Sequence, residues 1–303
     1  MDLLSIDDLG DAQIAAILGA AERWFAYNRL PRRNDRRLDG LTILNAFFEN
    51  STRTLLSFEI AAKRLGAQMV TMQVEHSSIK KGETLEDTAR TLNAMRPDAL
   101  VIRHGTSGAP RAVADIMDCP VINAGDGTGE HPTQALLDAA TLMHRFGRIK
   151  GLKVAICGDL AHSRVARSNG KLLPRLGADV RFAGHPSLLP DGFEGSGAID
   201  EAVENADVVM MLRIQRERLE EDLNDAPGEY LARYGLTAER IARAAPGAVV
   251  MHPGPINRGV EIDGALADDP DRSLITLQVE MGVAVRMACL ELLTAERLKA
   301  PPA

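Results

Sequence analysis

The sequence predicts an α/β protein with two doubly wound domains, each built around a parallel sheet. Short apolar runs typical of buried strands alternate with amphipathic stretches typical of helices, and this alternation is characteristic of a parallel α/β sheet. One long predicted helix, 132–146, interrupts the alternation, which then restarts. A chain of 303 residues has room for two domains of ordinary size.

The predicted elements follow one another along both halves of the chain. Helices are expected from Ser5 through Trp24, near 60–65 and near 111–117, and the arginine-rich loop 32–37 is expected to be solvated surface. The C-terminal helix, roughly 279–296, is expected to be amphipathic. Ligands are expected where the strands end. The predicted strands are 41–47, 68–72, 99–102, 121–123, 154–157, 179–182, 208–212 and 248–251.

Composition and charge exclude several classes of protein. Hydrophobic residues make up 45% and charged residues 25%, as in ordinary soluble domains, and the net charge of −7 argues against a nucleic-acid partner. The three cysteines, Cys119, Cys157 and Cys289, are far apart, which fits a reducing cytoplasm and gives neither a disulfide framework nor a zinc site. An acidic N-terminus without a signal-peptide pattern and the lack of a long apolar run argue against secretion and a membrane span.

A run of hydroxyl side chains with one arginine lies between the first predicted strand and the helix after it. Ser51, Thr52 and Thr54 supply hydroxyl donors, and Arg53 supplies a fixed charge. Because the first amides of a helix have no intrahelical partners, this turn predicts an anion site, most naturally for phosphate. The alternative is an ordinary helix cap with an arginine that is there by chance.

Two further cationic positions are candidates in the first half. The polar loop 75–83 carries Lys80 and Lys81, which either reach a ligand or form an exposed basic loop. Arg103 lies just past a predicted strand end, where α/β proteins bind ligands, and its alternative is a surface arginine.

The segment His131-Pro132-Thr133-Gln134 opens the long helix 132–146. Pro132 suits the first helical turn because that position needs no amide partner. His131 then lies at the mouth of the helix and Gln134 on its first turn, so that a ring N–H can hold a carbonyl oxygen and a side-chain amide can hold an –NH2. The alternative for a lone histidine is a satisfied core residue.

Two arginines follow predicted strands of the second half. Gly158 and Asp159 follow the strand 154–157 where a dinucleotide fingerprint would stand, but the pattern is not GxGxxG and does not favour NAD. Arg164 opens the next helix, and Arg213 follows the strand 208–212. Guanidinium groups bind carboxylates bidentately, so two carboxylates fit these positions; surface ion pairs are the alternative.

The loop His252-Pro253-Gly254-Pro255 follows the last predicted strand. Proline has no amide donor, so the carbonyl groups of this loop can point at a ligand without pairing locally. A rigid turn after a strand is the structural interpretation, and the two are compatible.

These motifs together resemble a known family. Phe-x-x-x-Ser-Thr-Arg-Thr-x-x-Ser-Phe-Glu, which begins at Phe47, is similar to the carbamoyl-phosphate signature of the aspartate and ornithine carbamoyltransferases. Lys-Lys-Gly-Glu-Thr, His-Pro-Thr-Gln and His-Pro-Gly-Pro follow in the order and spacing that resemble the aspartate branch. The ornithine branch instead carries His-Cys-Leu-Pro and an Asp-x-x-x-Ser-Met-Gly loop, and neither is present.

The resemblance implies a reaction. Carbamoyl phosphate and L-aspartate would give N-carbamoyl-L-aspartate and phosphate, in de novo pyrimidine (UMP) biosynthesis. No metal or organic cofactor would be needed. The catalytic residues implied are Arg53, Thr54, Arg103 and His131. The carbamoyl-phosphate site implied comprises Ser51, Thr52, Arg53, Thr54, Arg103, His131, Gln134, Gly254 and Pro255. The aspartate site implied comprises Lys81, Arg164, Arg213 and Gln215, with Ser77 and Lys81 donated by a neighbouring subunit.

The resemblance also implies an organisation. Residues 1–132, joined by the C-terminal helix at about 284–303, would bind carbamoyl phosphate, residues 133–283 would bind aspartate, and the active site would lie in the cleft between the two domains. The assembly implied is a cytoplasmic homotrimer, which in this family also occurs in larger assemblies with regulatory or dihydroorotase-like chains. No nucleic acid and no membrane are implied as partners.

Two departures from the family pattern and two rival functions bear on this interpretation. Leu55 stands where many relatives have arginine or lysine, and Gly254 stands where some have leucine; neither removes a side chain assigned to a ligand. A non-catalytic scaffold subunit is disfavoured by the intact motifs. Transfer to ornithine or a diamine is disfavoured by two arginines and a lysine, which suit an anionic acceptor.

Overall fold

The computed structural model describes residues 1–72, 74, 82–190, 197–214 and 227–299. The chain divides into a first unit, Met1–Ala140 with Val279–Ala303, and a second unit, Thr141–Gln278. Each unit contains one four-stranded sheet, and every paired strand in it is parallel to its neighbours. The predicted α/β class with two parallel-sheet domains is therefore confirmed.

The sheet of the first unit has the strand order β2-β1-β3-β4. Leu44, Ala46, Leu100 and Ile102 fill one face of its two central strands and belong to a single buried cluster. The strands are β1 Thr42–Phe47, β2 Gln68–Met72, β3 Ala99–His104 and β4 Val121–Asp126. The helices are a 3-10 turn Ile6–Asp8, α1 Asp11–Asn28, α2 Thr52–Arg64, α3 Leu85–Ala94, α4 Ala109–Ala114 and α5 Pro132–Phe146.

The sheet of the second unit has the equivalent order β6-β5-β7-β8. Its core includes Ala155, Val209, Met211 and Val250. The strands are β5 Lys153–Cys157, β6 Asp179–Ala183, β7 Val208–Met211 and β8 Val249–Met251. The helices are α6 Arg164–Arg175, α7 Ile199–Val203, a 3-10 turn Pro186–Leu188, and the short helices Pro227–Tyr234, Ala238–Ile241 and Gly264–Ala267. The C-terminal helix, Ile275–Leu293, and a 3-10 turn, Arg297–Lys299, complete the chain.

Four predicted helices differ from those observed. Ser5 caps only a 3-10 turn, and the first long helix begins at Asp11, directly after Gly10. The helix predicted near 60–65 begins already at Thr52, and the one predicted near 111–117 lies at Ala109–Ala114. Every residue from 284 to 290 in the C-terminal helix is buried, so that part is not amphipathic. An all-round apolar pattern is typical of a helix that is enclosed by its own domain.

The loop 32–37 is exposed, as predicted, apart from the half-buried Asp35, and its Arg37 also contacts the first helix. Its guanidinium carbon lies 4.4 Å from the ring centroid of Trp24, and it forms ion pairs with Asp35 and Glu291. Trp24 is 2% exposed, and its indole Nε1 donates to Glu291 Oε2 at 2.8 Å. The stacked Arg37 thus helps to attach the loop to α1 and the C-terminal helix.

The three cysteines are buried and none is bridged. Desolvation raises the pKa of the Cys119 thiol to about 11 and the pKa of the Cys157 and Cys289 thiols to about 12. They behave as small apolar core residues rather than as nucleophiles. Across the described residues, none of the helices combines the length and apolar character that crossing a bilayer needs.

We expect Val154→Ala to cost about 2–3 kcal/mol of unfolding free energy, because two buried methyl groups are lost and a cavity remains. Val154 is fully buried on the central strand β5, and its register partner Val180 on the edge strand β6 is only half-buried. The same change at Val180 should cost about 1 kcal/mol or less. Urea unfolding followed by circular dichroism measures both. Equal losses would contradict the assignment of β5 as a core strand.

Candidate active site

The predicted hydroxyl-rich motif forms the N-terminus of α2. Ser51 is the N-cap, in an extended conformation, and Thr52, Arg53 and Thr54 are the first three helical residues. The Ser51 side chain makes no capping hydrogen bond, and the first turn contains no acidic residue. Thr54 is buried, whereas Thr52 and Arg53 are exposed. The helix dipole and its first amides therefore favour an anion at this turn.

Arg103 lies at the same sheet edge as this turn. Phe47, the last residue of β1, is the register partner of Arg103 on β3, and the Phe48 amide donates to the Arg103 carbonyl at 2.8 Å. Arg103 Nε lies 3.2 Å from Glu49 Oε2, in an ion pair whose arginine side chain is only 12% exposed. Because the Glu49 carboxylate sits beside this guanidinium, an anion that binds Arg103 must compete with it. Glu49 was not predicted as a site residue, although it is the acidic residue nearest to Arg53 in the sequence.

His131 and Gln134 lie where β4 gives way to α5. Pro132 is the first residue of α5, as predicted. His131 is 4% exposed and Gln134 8%. The amide nitrogen of Gln134 donates to Asp138 Oδ1 at 2.9 Å. That bond orients the side chain, and the carbonyl oxygen of Gln134 is then the end that can accept from an –NH2 group.

The turn before His131 is held by the N-terminal segment of the chain. Glu130 Oε1 accepts from the Ser5 hydroxyl at 2.6 Å, and Glu130 Oε2 accepts from the Ile6 amide at 3.0 Å. The buried Asn123 side chain donates to the carbonyl groups of Leu4 and Glu130, at 2.8 and 3.1 Å. His131 thus follows a residue fixed from two sides, a role for 1–8 that no local pattern indicates.

A buried arginine in the C-terminal helix is a second feature that was not predicted from the sequence. Arg286 is 3% exposed, its Nη1 donates to the Gly282 carbonyl at 3.0 Å, and its guanidinium carbon lies 5.2 Å from the Phe58 ring centroid on α2. Burial lowers its pKa to about 10; the Asp138 charge opposes this shift and the Arg103 charge adds to it. It therefore stays protonated at neutral pH. Its only sequence signal is a single charge inside the apolar run 281–290.

Arg164 begins α6, after the loop that follows β5. Ser163 caps this helix, because its hydroxyl accepts from the Ala166 amide at 3.1 Å. In the same loop, His162 Nδ1 lies 2.8 Å from Asp159 Oδ1. A Cβ on Gly158, whose φ is +131°, would lie 2.8 Å from the Leu212 carbonyl oxygen, so this approach requires glycine. Glycine here serves close packing against the end of β7.

Arg213 follows β7 by two residues and is exposed. Met211 is the register partner of Cys157 at the end of β5, and the Leu212 amide donates to the Cys157 carbonyl at 2.7 Å. Ile214 is fully buried in a cluster with Leu188, Tyr230 and Val260. The buried Ile214 thus fixes the backbone next to Arg213. Arg213 itself lies at the carboxyl end of the sheet, where α6 also begins.

The His-Pro-Gly-Pro loop follows β8, the strand next to β7. His252 is 2% exposed, whereas Gly254 is half-buried and Pro255 is exposed. Gly254 has a φ of +68°, in the region that favours glycine, so this backbone conformation suits glycine at a position where some relatives have leucine. The carbonyl groups of this stretch remain candidates for accepting from a ligand.

Three predicted site residues, Ser77, Lys81 and Gln215, lie outside the described residues. Within the described ranges, no cluster of three or more histidine, cysteine, aspartate and glutamate side chains could hold a metal ion. The candidate residues in the first unit are Ser51, Thr52, Arg53, Thr54, Arg103, His131 and Gln134. Those in the second unit are Arg164, Arg213, Gly254 and Pro255.

Two family models match nearly the whole chain. The carbamoyl-P binding domain of aspartate/ornithine carbamoyltransferase matches residues 1–144, and the Asp/Orn binding domain matches residues 150–293. The aspartate carbamoyltransferase catalytic subunit of Rhizorhabdus wittichii is 61% identical, covering 97% of this chain and 95% of that protein. That of Novosphingobium aromaticivorans is 57% identical, covering 99% and 91%.

Solved structures show the same fold on both branches of the family. Aspartate transcarbamoylase from Trypanosoma cruzi, in complex with N-(phosphonacetyl)-L-aspartic acid, has a TM-score of 0.86 at 32% identity, covering 95% of this chain and 94% of that chain. Ornithine carbamoyltransferase from Pyrococcus furiosus has a TM-score of 0.86 at 29% identity, covering 97% of each. Fold likeness thus does not separate the two acceptors, whereas the higher identities belong to aspartate enzymes. With models matched along both halves, this chain belongs to the aspartate/ornithine carbamoyltransferase family.

Proposed function

We propose that this chain transfers the carbamoyl group of carbamoyl phosphate to the amine of L-aspartate, giving N-carbamoyl-L-aspartate and phosphate. The observation that carries the proposal is the placement of Ser51–Thr54 on the first turn of α2, at the sheet edge that also carries Arg103. A helix N-terminus with hydroxyls and two guanidinium groups suits a phosphate dianion. The names of the relatives above support aspartate as the acceptor, as does the Lys-Lys-Gly-Glu-Thr motif.

The residues of the first unit divide between the two ends of carbamoyl phosphate. The first turn of α2 holds the phosphate through its amides, hydroxyls and Arg53. Thr54, Arg103 and His131 donate to the carbamoyl oxygen. The carbonyl oxygen of Gln134 accepts from the –NH2, because its amide nitrogen already donates a hydrogen bond to Asp138. In the second unit, the carbonyl groups of Gly254 and Pro255 serve the same –NH2.

The second unit binds aspartate. Arg164 and Arg213 each bind one carboxylate, and Gln215 and Lys81 complete the site. The two arginines stand after adjacent strands of one parallel sheet, β5 and β7, whose carboxyl ends meet at the same edge. A site with this charge favours a dianionic acceptor over a cationic one.

The reaction follows from these contacts. The deprotonated amine attacks the carbamoyl carbon, and the carbonyl oxygen becomes an oxyanion held by Thr54, Arg103 and His131. Each such donor contributes on the order of 3 kcal/mol to the transition state. The C–O bond to phosphate then breaks, the phosphate leaves into the helix N-terminus, and one of its oxygens takes the proton of the amine. Bringing two anions together in fixed orientation accounts for much of the rate.

The assembly we propose is a cyclic homotrimer in which Ser77 and Lys81 complete the site of the neighbouring subunit. A long lysine can close over bound ligands from across an interface and exclude water. The cellular setting we propose is the cytoplasm, in de novo pyrimidine biosynthesis, and three unbridged cysteines fit a reducing compartment. The family also offers larger assemblies with regulatory or dihydroorotase-like chains as partners.

An assay with radiolabelled carbamoyl phosphate and a panel of amines tests the acceptor. We expect label in the product with L-aspartate, and at least about 100-fold less with L-ornithine or a diamine, because cationic acceptors meet like charges at Arg164 and Arg213. Labelled product with ornithine at a comparable rate would overturn the choice of branch.

Arg53→Ala should lower turnover at least about 100-fold, because this arginine acts on charge that grows on the leaving phosphate. Arg90→Ala on α3 is the matched control, since the Arg90 side chain is 66% exposed and forms ion pairs with the exposed Glu86 and Asp87. Steady-state kinetics on both folded variants measure the difference. Turnover of Arg53→Ala within a few-fold of the control would remove Arg53 from the phosphate site.

Mixing two inactive variants tests the shared site. Arg53→Ala and Lys81→Ala chains are dissociated, combined in equal amounts and reassembled. We expect activity at about a quarter of the sites, because each site would take its α2 first turn, with Arg53, from one chain and its loop, with Lys81, from another. Each variant reassembled alone is the control and should stay inactive. Mixed trimers that form but remain inactive would contradict the donation of Lys81 between subunits.

A further inference from the structure

The loop after β8 is fastened by a buried pair of side chains that the proposed mechanism does not use. His252 and Glu261 have fully buried side chains, and His252 Nε2 lies 3.2 Å from Glu261 Oε1. The Gly254 amide donates to His252 Nδ1 at 2.8 Å. Because Nδ1 accepts, the imidazole carries its proton on Nε2 and donates it to Glu261. The tautomer of His252 is thus set by the backbone of the His-Pro-Gly-Pro loop.

Glu261 also holds the second half of this loop. Its Oε1 accepts from the Asn257 amide as well as from His252. The His252 amide in turn donates to Gln278 Oε1 at 2.9 Å. One carboxyl oxygen therefore fixes the loop on both sides of Gly254 and Pro255, whose carbonyl groups are the proposed acceptors.

Asn257 extends the network to the neighbouring strand. Its side-chain Nδ2 donates to the Ile214 carbonyl at 2.6 Å. Ile214 directly follows Arg213, and its side chain packs with Val260, the neighbour of Glu261. The backbone that carries Arg213 is therefore bonded to the same loop as Gly254 and Pro255.

Burying Glu261 in this way lowers the stability of the folded state. Glu261 is 0% exposed, and in the described part of the chain its Oε2 has no hydrogen-bond partner. A buried polar atom without a partner destabilises the folded state, and an apolar side chain of the same shape would often be more favourable. A costly group retained inside a closed network points to a role in fixing geometry rather than in stability.

We propose that Glu261 is a positioning residue for both substrates. Through His252 it fixes the carbonyl groups of Gly254 and Pro255, and through Asn257 it fixes the backbone of Arg213. This inference rests on the proposed function, since it takes Gly254, Pro255 and Arg213 to contact ligands. Glu261 and Asn257 themselves contact neither substrate.

Two substitutions at Glu261 separate positioning from bulk. Glu261→Gln keeps an oxygen that accepts from both His252 and Asn257, whereas Glu261→Met has similar volume and no such acceptor. We expect Glu261→Met to raise the KM for aspartate and to lower kcat, each about 10-fold or more, and Glu261→Gln to restore most of both. A merely structural role predicts the opposite pattern: altered thermal stability with KM and kcat unchanged per folded enzyme.

Asn257→Ala cuts only the arm that leads to Arg213, and it keeps the inference testable if Glu261→Met does not fold. We expect about 10-fold weaker binding of aspartate, or of succinate, which carries the same two carboxylates without the reactive amine. Binding of carbamoyl phosphate should stay within about 2-fold of wild type. Arg258→Ala is the matched control in the same loop, because Arg258 is exposed and pairs with Asp268 at 2.6 and 2.8 Å. Its kinetics should not change.

Arg213→Ala distinguishes a failed inference from a failed function. If Arg213→Ala raises the aspartate KM and Asn257→Ala and Glu261→Met do not, the positioning role is wrong while the aspartate site stands. If Arg213→Ala itself leaves the aspartate KM unchanged, the proposed function of Arg213 is wrong, and the inference falls with it.

Discussion

Parallel pairing of the central strands is the constraint on which every candidate site residue depends. Because β1 and β3 run in the same direction, their carboxyl ends coincide, and the N-terminus of α2 and Arg103 come to one edge. A slip of one residue in this register would turn Arg103 to the other face of the sheet. The second unit repeats the principle with β5, β7 and β8, which lead to Arg164, Arg213 and the loop after His252.

Several buried or functional positive charges lie in the first unit, although the whole chain has a net negative charge. The protein has a net charge of −7, yet Arg53, Arg103 and the buried Arg286 all belong to the first unit, which also carries the N-terminus of α2. Glu49 pairs with Arg103 at 3.2 Å. This internal carboxylate offsets part of the repulsion among the cations of the first unit.

The sequence could predict whatever depends on short-range pattern. The strands, the hydroxyl-rich motif of α2 and the turn from His131 to Gln134 could be predicted, because the periodicity of apolar residues and the residues that begin a helix are local in sequence. Glu130 could not be found this way, since its partners Ser5 and Ile6 lie far away in sequence. Arg286 looks like one charge in an apolar helix until packing encloses it. Glu261 becomes informative only through His252 and Asn257, which the turn brings back to it.

The three buried thiols can report how often each unit opens in the native protein. Cys119 and Cys289 belong to the first unit and Cys157 to the second, and their raised pKa values keep them unreactive while they are enclosed. A thiol reagent can therefore modify each one only during a local or global opening of its surroundings. Alkylation rates at the individual cysteines, measured by peptide mass spectrometry, would compare the opening rates of the two units in one native sample. Repeating the measurement with ligands would show in which unit ligand binding slows the opening.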